Sequence, residues 1–249
     1  AFDSRAVAYP VPMATMRAAA LGSPGSLALT TRPVPEPGPG EVLLAVEATT
    51  ICGTDLRIES GAKTRGVTPG IVLGHEVAGR VAALGGGLGA GAPAVGAQVG
   101  LAPEWVCGSC GPCACGRANV CENMRLFGTT VDGGLADYLL VPAPAVAQCV
   151  VAVERETDPA LLALAEPLSC CLRAHARLGI GAGDTVAVLG TGPIGLIHCA
   201  LAARAGARVI ASGRPARLEP ALRFGAAHAT AATGAELVAE ARRLTGGRG

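Results

Sequence analysis

Thr185-Val186-Ala187-Val188-Leu189-Gly190-Thr191-Gly192-Pro193-Ile194-Gly195 decides how the C-terminal third of this chain folds. Its first five residues are the apolar, β-branched run of a buried strand, and the segment from about Ile194 to Ala205 reads as a helix. Three glycines between them have separate tasks. Gly190 permits the tight turn, Gly192 lets the backbone approach a pyrophosphate, and Gly195 lets helix pack on strand. Pro193 and Ile194 open the helix, whose free N–H groups face the phosphates. A glycine motif alone is weak, but a strand before it and a helix after it make it a dinucleotide site. The uncharged run 185–203 has the length of a membrane span, yet its glycines and proline break it into strand, turn and helix.

Downstream, 208–211 reads as a strand, 218–224 as a helix, 227–230 as a short strand and 235–244 as a helix. This alternation predicts a parallel, doubly wound α/β sheet. Only the first of the two mononucleotide halves of such a fold is accounted for, so the chain reads as truncated at Gly249, with the C-terminal half of the fold absent. At the end of the second strand an NAD enzyme places Asp or Glu on the ribose 2′-hydroxyl. Here the chain reads Ala211-Ser212-Gly213-Arg214, with no carboxylate before Glu219. Arg214 suits a 2′-phosphate and Ser212 can donate to it, which favours NADP over NAD.

Upstream stands Cys107-x2-Cys110-x2-Cys113-x7-Cys121. Four thiolates close a tetrahedral zinc shell with no open position, which is a structural site. Gly108, Gly111 and Pro112 permit the turns. The bacterial ferredoxin run places its fourth cysteine three residues after the third and follows it with proline, whereas Cys121 comes later and precedes Glu122. A nucleic-acid zinc ribbon needs basic residues around the cluster, and here only Arg117 and Arg125 are near. Cys115 sits at the wrong distance and reads as a spare thiol. A second donor set is Cys52, His75 and Glu166, with Glu76 beside them. Mixed S, N and O donors from distant parts of a chain are typical of catalytic zinc, which keeps its fourth position for water or substrate. Two zinc ions per chain are expected.

The 249 residues suffice for two domains, and half of them are hydrophobic although only 2% are aromatic, so the cores must be built from Ala, Val, Leu and Ile. Short β-branched segments such as 41–48 and 74–84, bounded by Gly and Pro, predict a β-rich, barrel-like domain. The tract 33–40 is a connector, 85–100 a loose small-residue stretch, and from about Asp158 helical spacing leads toward the cofactor domain. A formal net charge of +1 gives no footprint for nucleic acid or an anionic membrane. Thiolate clusters need a reducing compartment, and the N-terminus lacks the apolar stretch of a signal peptide, so the expected location is cytoplasmic.

Several stretches together resemble the zinc-dependent medium-chain alcohol dehydrogenase family, especially its polyol, sorbitol and threonine dehydrogenase branch. They are Met16-Arg17-Ala18-Ala19, Pro37-Gly38-Pro39-Gly40-Glu41-Val42, Ile51-Cys52-Gly53-Thr54-Asp55-Leu56, Gly74-His75-Glu76-Val77-Ala78-Gly79, the cysteine loop, Val131-Asp132-Gly133-Gly134 and Glu166-Pro167-Leu168. The resemblance runs from about Met16 to Gly249. It implies a chaperonin-10-like (GroES-like) β-barrel catalytic domain over 16–165 carrying both zincs, preceded by an extension at 1–15. A partial Rossmann domain follows over 166–249.

The resemblance also implies residue roles. Cys52 and His75 bind the catalytic zinc, with Glu166 completing the site directly or through water and Glu76 as an alternative ligand. Asp55 orients His75, Thr54 offers its hydroxyl to the substrate oxygen, and Cys107, Cys110, Cys113 and Cys121 hold the structural zinc. Arg57 departs from the family, occupying the place of a His that passes the substrate proton to solvent, so another group or water must do so here.

The activity implied is hydride transfer between a secondary alcohol or polyol and NAD(P), with zinc as Lewis acid, by a homodimer or homotetramer acting on small molecules. The rival reading is a truncated, non-catalytic zinc-binding fragment of such an enzyme. A zinc-free quinone reductase would need neither the cysteine loop nor Cys52 and His75.

Overall fold

The computed structural model describes residues 14–247. Nearly all of the expected extension, 1–13, therefore lies outside the described residues. The chain divides into two compact units, one ending at Glu166 and one beginning at Pro167.

The N-terminal unit is built on strands. An antiparallel pair, β1 (Thr15–Leu21) and β2 (Leu27–Pro33), comes first. Then follow β3 (Val42–Thr50), the short helix α1 (Gly53–Glu59), β4 (Glu76–Leu84), β5 (Gln98–Leu101) and β6 (Glu104–Trp105). After them come α2 (Gly111–Ala114), β7 (Arg125–Leu126), β8 (Tyr138–Val141), α3 (Ala143–Cys149), β9 (Val150–Ala152) and α4 (Pro159–Ala163).

Five strands form one antiparallel sheet in the order β8-β3-β4-β5-β9. Its apolar side chains, among them Val42, Leu44, Val77, Val81, Val99 and Leu139, pack with Trp105 and Phe127 into one core. Trp105 and Phe127 meet at 5.1 Å, the large rings in a core otherwise made of aliphatics. Where β3 slips register between Val46 and Ala48, Gly79 pairs with Val46, and a Cβ there would lie 2.2 Å from the Ala45 carbonyl oxygen. The bulge therefore requires glycine at that point.

The connector expected at 33–40 runs from the end of β2 to just before β3. The stretch 85–100, expected to be loose, ends instead in β5, an interior strand of the sheet. Val99 and Leu101 are buried in it, and small flanking residues hid the alternation.

The C-terminal unit comprises α5 (Ala165–Leu178), β10 (Thr185–Leu189), α6 (Pro193–Arg204), β11 (Arg208–Ser212), α7 (Leu218–Arg223), β12 (His228–Thr230) and α8 (Gly234–Leu244). Its strands pair in parallel in the order β10-β11-β12, the alternation expected from the sequence. The core is small-grained, with Val188, Cys199, Ala202, Val209, Ala211 and Ala221 buried together. Residues this small bring helix backbones close to the sheet.

Candidate functional site

The cysteine quartet lies on the turns around α2, with Trp105 of β6 two residues before Cys107. Cys121 Sγ lies 3.5 Å from Cys107 Sγ and 3.8 Å from Cys110 Sγ. All four sulfurs fall within 4.8 Å of one another. A zinc tetrahedron with Zn–S of about 2.3 Å has S–S edges of about 3.8 Å. A disulfide needs about 2.05 Å, and these cysteines are free. The N–H groups of Cys107 and Asn123 donate to Cys121 Sγ at 3.4 Å, and the Asn123 side-chain amide donates to Cys107 Sγ at 3.6 Å.

Backbone N–H of Ser109, then the Asn123 amide and the N–H of Cys110, bring the Cys107 thiol down to about 5. Burial, then the crowding sulfurs of Cys110 and Cys121, push Cys113 up to about 12. The loop welcomes one thiolate and resists a neighbouring one, a conflict that a divalent cation removes. Spacing, sulfur geometry and donors all fit zinc.

The second cluster is assembled by strand register. Thr50 pairs with Glu76 across β3 and β4, so Cys52, just beyond β3 and at the N-cap of α1, comes beside the residues that open β4. Ligand atoms of Cys52, His75 and Glu76 converge within 4.8 Å. His75 and Glu76 are buried, at 7% and 6% exposure, and the Thr50 hydroxyl donates to the Glu76 carboxylate.

Beneath them Asp55, only 2% exposed, accepts from the N–H of Cys52 at 2.9 Å and of Gly74 at 3.1 Å. Its Oδ1 stands 3.6 Å from His75 Nδ1, too long for a direct hydrogen bond, and that nitrogen has no other partner. Burial works to raise Asp55, but His75 and the two N–H donors outweigh it and hold the carboxyl below its usual range. The same carboxylate raises His75 to about 9 against the opposing effect of burial. A buried imidazole backed by a carboxylate, beside a thiol and a second carboxylate, is a donor set that suits zinc.

The Val131–Gly134 stretch holds this cluster from behind. Gly133 and Gly134 donate to the carbonyls of Val72 and Gly74, at 2.8 and 2.9 Å. A Cβ on Gly133 would lie 2.0 Å from the Gly74 carbonyl oxygen, so only glycine permits the contact. Asp132 accepts from the N–H of Val72 at 2.9 Å and pairs with Arg32 at 3.1 Å.

Glu166, expected as a ligand, lies half-buried in the first turn of α5, and the carboxylate that converges with Cys52 and His75 is that of Glu76, the expected alternative. Thr54 is half-buried in the first turn of α1, and Arg57, near its end, is exposed.

In the C-terminal unit a cleft of about 590 Å³ opens at the carboxyl ends of β10 and β11. Gly190, Gly192, Gly213, Arg214 and Arg217 line it. Gly190 has φ +99, and a Cβ on Gly195 would lie 1.7 Å from the Gly190 carbonyl oxygen, so turn and packing both need glycine. A Cβ on Gly192 would meet only Arg217 Nη1, at 3.4 Å, which leaves the turn open on the cleft side. This cradle, with the α6 N-terminus behind it and Pro193 in its first turn, fits a dinucleotide phosphate.

Ser212 also lines the cleft. The Ser212 hydroxyl donates to the Ala232 carbonyl at 2.7 Å, and the residue is 5% exposed, so its single proton is committed within the fold. Arg217 was missed by sequence reading. The available signal was its position three residues after Arg214, one turn of the 3-10 helix at Pro215–Arg217.

The two sites define a class: a β domain with a thiolate quartet and a Cys-His-Glu centre, joined to a dinucleotide-binding unit. Residues 38–151 match the alcohol dehydrogenase GroES-like domain. The chain is 37% identical over 221 residues to the L-threonine 3-dehydrogenase of Pyrococcus furiosus, covering 87% of this chain and 61% of that protein. It is 32% identical over 234 residues to an uncharacterized zinc-type alcohol dehydrogenase-like protein of Haemophilus influenzae, covering 94% of this chain and 67% of that one. Among solved structures, a candidate zinc-binding dehydrogenase of Sinorhizobium meliloti bound to NADP superposes with TM-score 0.80 at 40% identity, covering 88% of this chain and 62% of that one. The chain belongs to the zinc-type medium-chain alcohol dehydrogenase family and spans about three fifths of the length of the threonine dehydrogenase it matches. Among the described residues no helix is long and apolar enough to cross a membrane.

Proposed function

We propose that this chain provides the metal and nucleotide sites of an oxidoreductase that moves a hydride between a secondary alcohol or polyol and NADP. The observation that carries the proposal is the convergence of Cys52, His75 and Glu76 within 4.8 Å over a buried Asp55. These three residues would hold a catalytic zinc, with Glu166 as a further oxygen donor, directly or through water. Zinc bound there would supply Lewis acidity toward an alcohol hydroxyl, and a bound dinucleotide would supply the hydride-accepting chemistry.

Asp55 fixes the imidazole of His75 by facing Nδ1, which leaves Nε2 for the metal. Thr54, in the first turn of α1, takes the hydrogen bond through which the substrate proton leaves. A guanidinium offers donors and no acceptor, so Arg57 cannot take up that proton, and water carries it onward. The quartet does no chemistry and braces loop 107–121, where exposed Val120 offers apolar surface to a second subunit of a homodimer or homotetramer.

NADP is preferred because Arg214 and Arg217 line the cleft with no carboxylate at the end of β11. Ten free cysteines agree with a reducing, cytoplasmic setting. Zinc content measured alongside NADPH-dependent reduction of a ketone panel tests the reading. Two zincs per chain with turnover, and loss of turnover but not of fold in Cys52→Ser, is the expected result; full activity in that variant overturns it.

A further inference from the structure

Three cations, Arg57, Lys63 and Arg65, follow Thr54 within the next eleven residues of chain, and nothing described so far uses them. Arg57 lies on α1 one turn beyond Thr54, at the i, i+3 spacing that puts two side chains on the same helix face. That face is outward, because Asp55 and Ile58 are the helix residues buried beneath. The following loop folds back so that the N–H of Lys63, the chain's lone lysine, donates to the Arg57 carbonyl at 2.8 Å, which brings the two backbones together. Arg65 is exposed two residues further on. Among the described residues none of these three side chains forms an ion pair, while Arg17, Arg32, Arg80 and Arg223 all do. Over residues 52–70 the accessible charge is thus three cations against Glu59, since Asp55 is buried and engaged.

The electrostatics of the metal cluster make this excess informative. A divalent cation held by one thiolate and one carboxylate carries no net charge, and Asp55 adds a negative one. The cluster alone therefore does not attract an anion, and any preference for one must come from its surroundings. Arg57 is the nearest such group in sequence to Thr54 and Cys52. The guanidinium presents a planar fork of donors that matches a carboxylate or phosphate in two-point contact.

We propose that Arg57, supported by Lys63, is a specificity-determining residue that selects alcohols bearing an anionic group, a carboxylate or a phosphate, a few carbons from the reacting hydroxyl. This rests on the dehydrogenase reading above and narrows its substrate class. The hydroxyl goes to the metal and Thr54, and the anion goes to Arg57. Binding made equally in ground and transition states is expressed mainly in KM.

The test uses the zinc-loaded enzyme with NADP and three matched substrates: glucitol, gluconate and glucitol 6-phosphate. One or both anionic substrates should exceed the neutral polyol in kcat/KM by about tenfold to a hundredfold, the effect of one charge-assisted contact. Whichever anion leads identifies the group recognised. In Arg57→Gln that ratio should fall toward one through a higher KM, and in the wild type it should shrink as ionic strength rises.

A second readout needs neither metal nor turnover. Inorganic phosphate, followed by ³¹P linewidth on the metal-free protein, should bind more weakly to Arg57→Gln than to wild type. Equal kcat/KM for neutral and anionic substrates, or phosphate binding unchanged in the variant, overturns the proposal. Turnover of no alcohol at all by protein with full zinc content overturns the dehydrogenase reading instead, and the substrate class falls with it.

Discussion

Asp55→Asn probes the metal cluster without changing its shape. In the wild type one carboxylate accepts two backbone N–H groups, from Cys52 at 2.9 Å and Gly74 at 3.1 Å, and faces His75 Nδ1 at 3.6 Å. Asparagine has one carbonyl oxygen, so whichever N–H it keeps, its amide nitrogen meets the other donor. A buried donor without a partner costs about 1–3 kcal/mol, and exchanging a charged acceptor for a neutral one at the remaining bond adds to that. The fold should lose about 2–4 kcal/mol. Trp105, the single tryptophan and 8% exposed, reports this in urea titrations because it sits in the core of the same unit.

Metal binding should fall further. Loss of the group behind a ligating histidine typically costs about 10–100-fold in affinity. Competition with a chromophoric chelator should show two zinc populations in wild-type protein. In the variant one is released at lower chelator concentration and the other, held by the quartet, is unmoved. If both zincs of the variant leave at the wild-type chelator concentration, Asp55 does not back the metal site and the ligand assignment built on it fails.

Cys110→Ser should remove one zinc equivalent per chain while leaving the Cys52 site loaded, and the emission of Trp105 should shift as loop 107–121 loosens; unchanged zinc content refutes the quartet. Arg214→Ala should weaken NADP binding by about tenfold or more relative to NAD, whereas Ser212→Ala should leave the ratio nearly unchanged, because that hydroxyl is spent on Ala232. Calorimetric titration with both nucleotides separates these outcomes. His175 stands 3.1 Å from His198 in the C-terminal unit, and burial, then its neighbour's charge, hold it below the usual 6.5. The unfolded chain therefore binds the proton more readily, so stability is lost as pH falls below about 6.5. Denaturation midpoints measured between pH 7 and 5 should drop less in His175→Gln than in wild type.

Elements with a strong period were legible in the sequence, and those built from small residues were not. The run 185–189 became β10 with its bounds intact, because an apolar strand closed by Gly190 has one reading. By contrast β5 hid in a tract of Gly, Ala and Pro where no alternation stands out. Helix α1 has seven residues and buries only Asp55 and Ile58, too little apolar surface to show a stripe. The quartet was legible because its four cysteines come from one loop at metal-ligand spacing, and the structure brings their sulfurs together. Long-range partners were not: nothing near Ser212 in sequence announces Ala232 as its acceptor, and nothing near Gly74 announces Gly133.

The question of which carboxylate joins Cys52 and His75 turns on such a long-range effect. Consecutive residues of a strand point to opposite faces, so His75 and Glu76 read as a strand pair would not meet the same ion. They converge because β4 begins at Glu76, leaving His75 in the chain before it, and because Gly74 takes φ +92 just upstream. That backbone angle is open to glycine at no steric cost, and the Gly133 contact with the Gly74 carbonyl holds it in place. The turn swings His75 to the side on which Glu76 already points. From sequence, Glu166 is the carboxylate that the family resemblance supplies, with Glu76 beside the pair as the alternative ligand. A glycine immediately before a His-Glu pair is the local sign that the alternation is broken there, and Val131-Asp132-Gly133-Gly134 is the distant segment that keeps it broken.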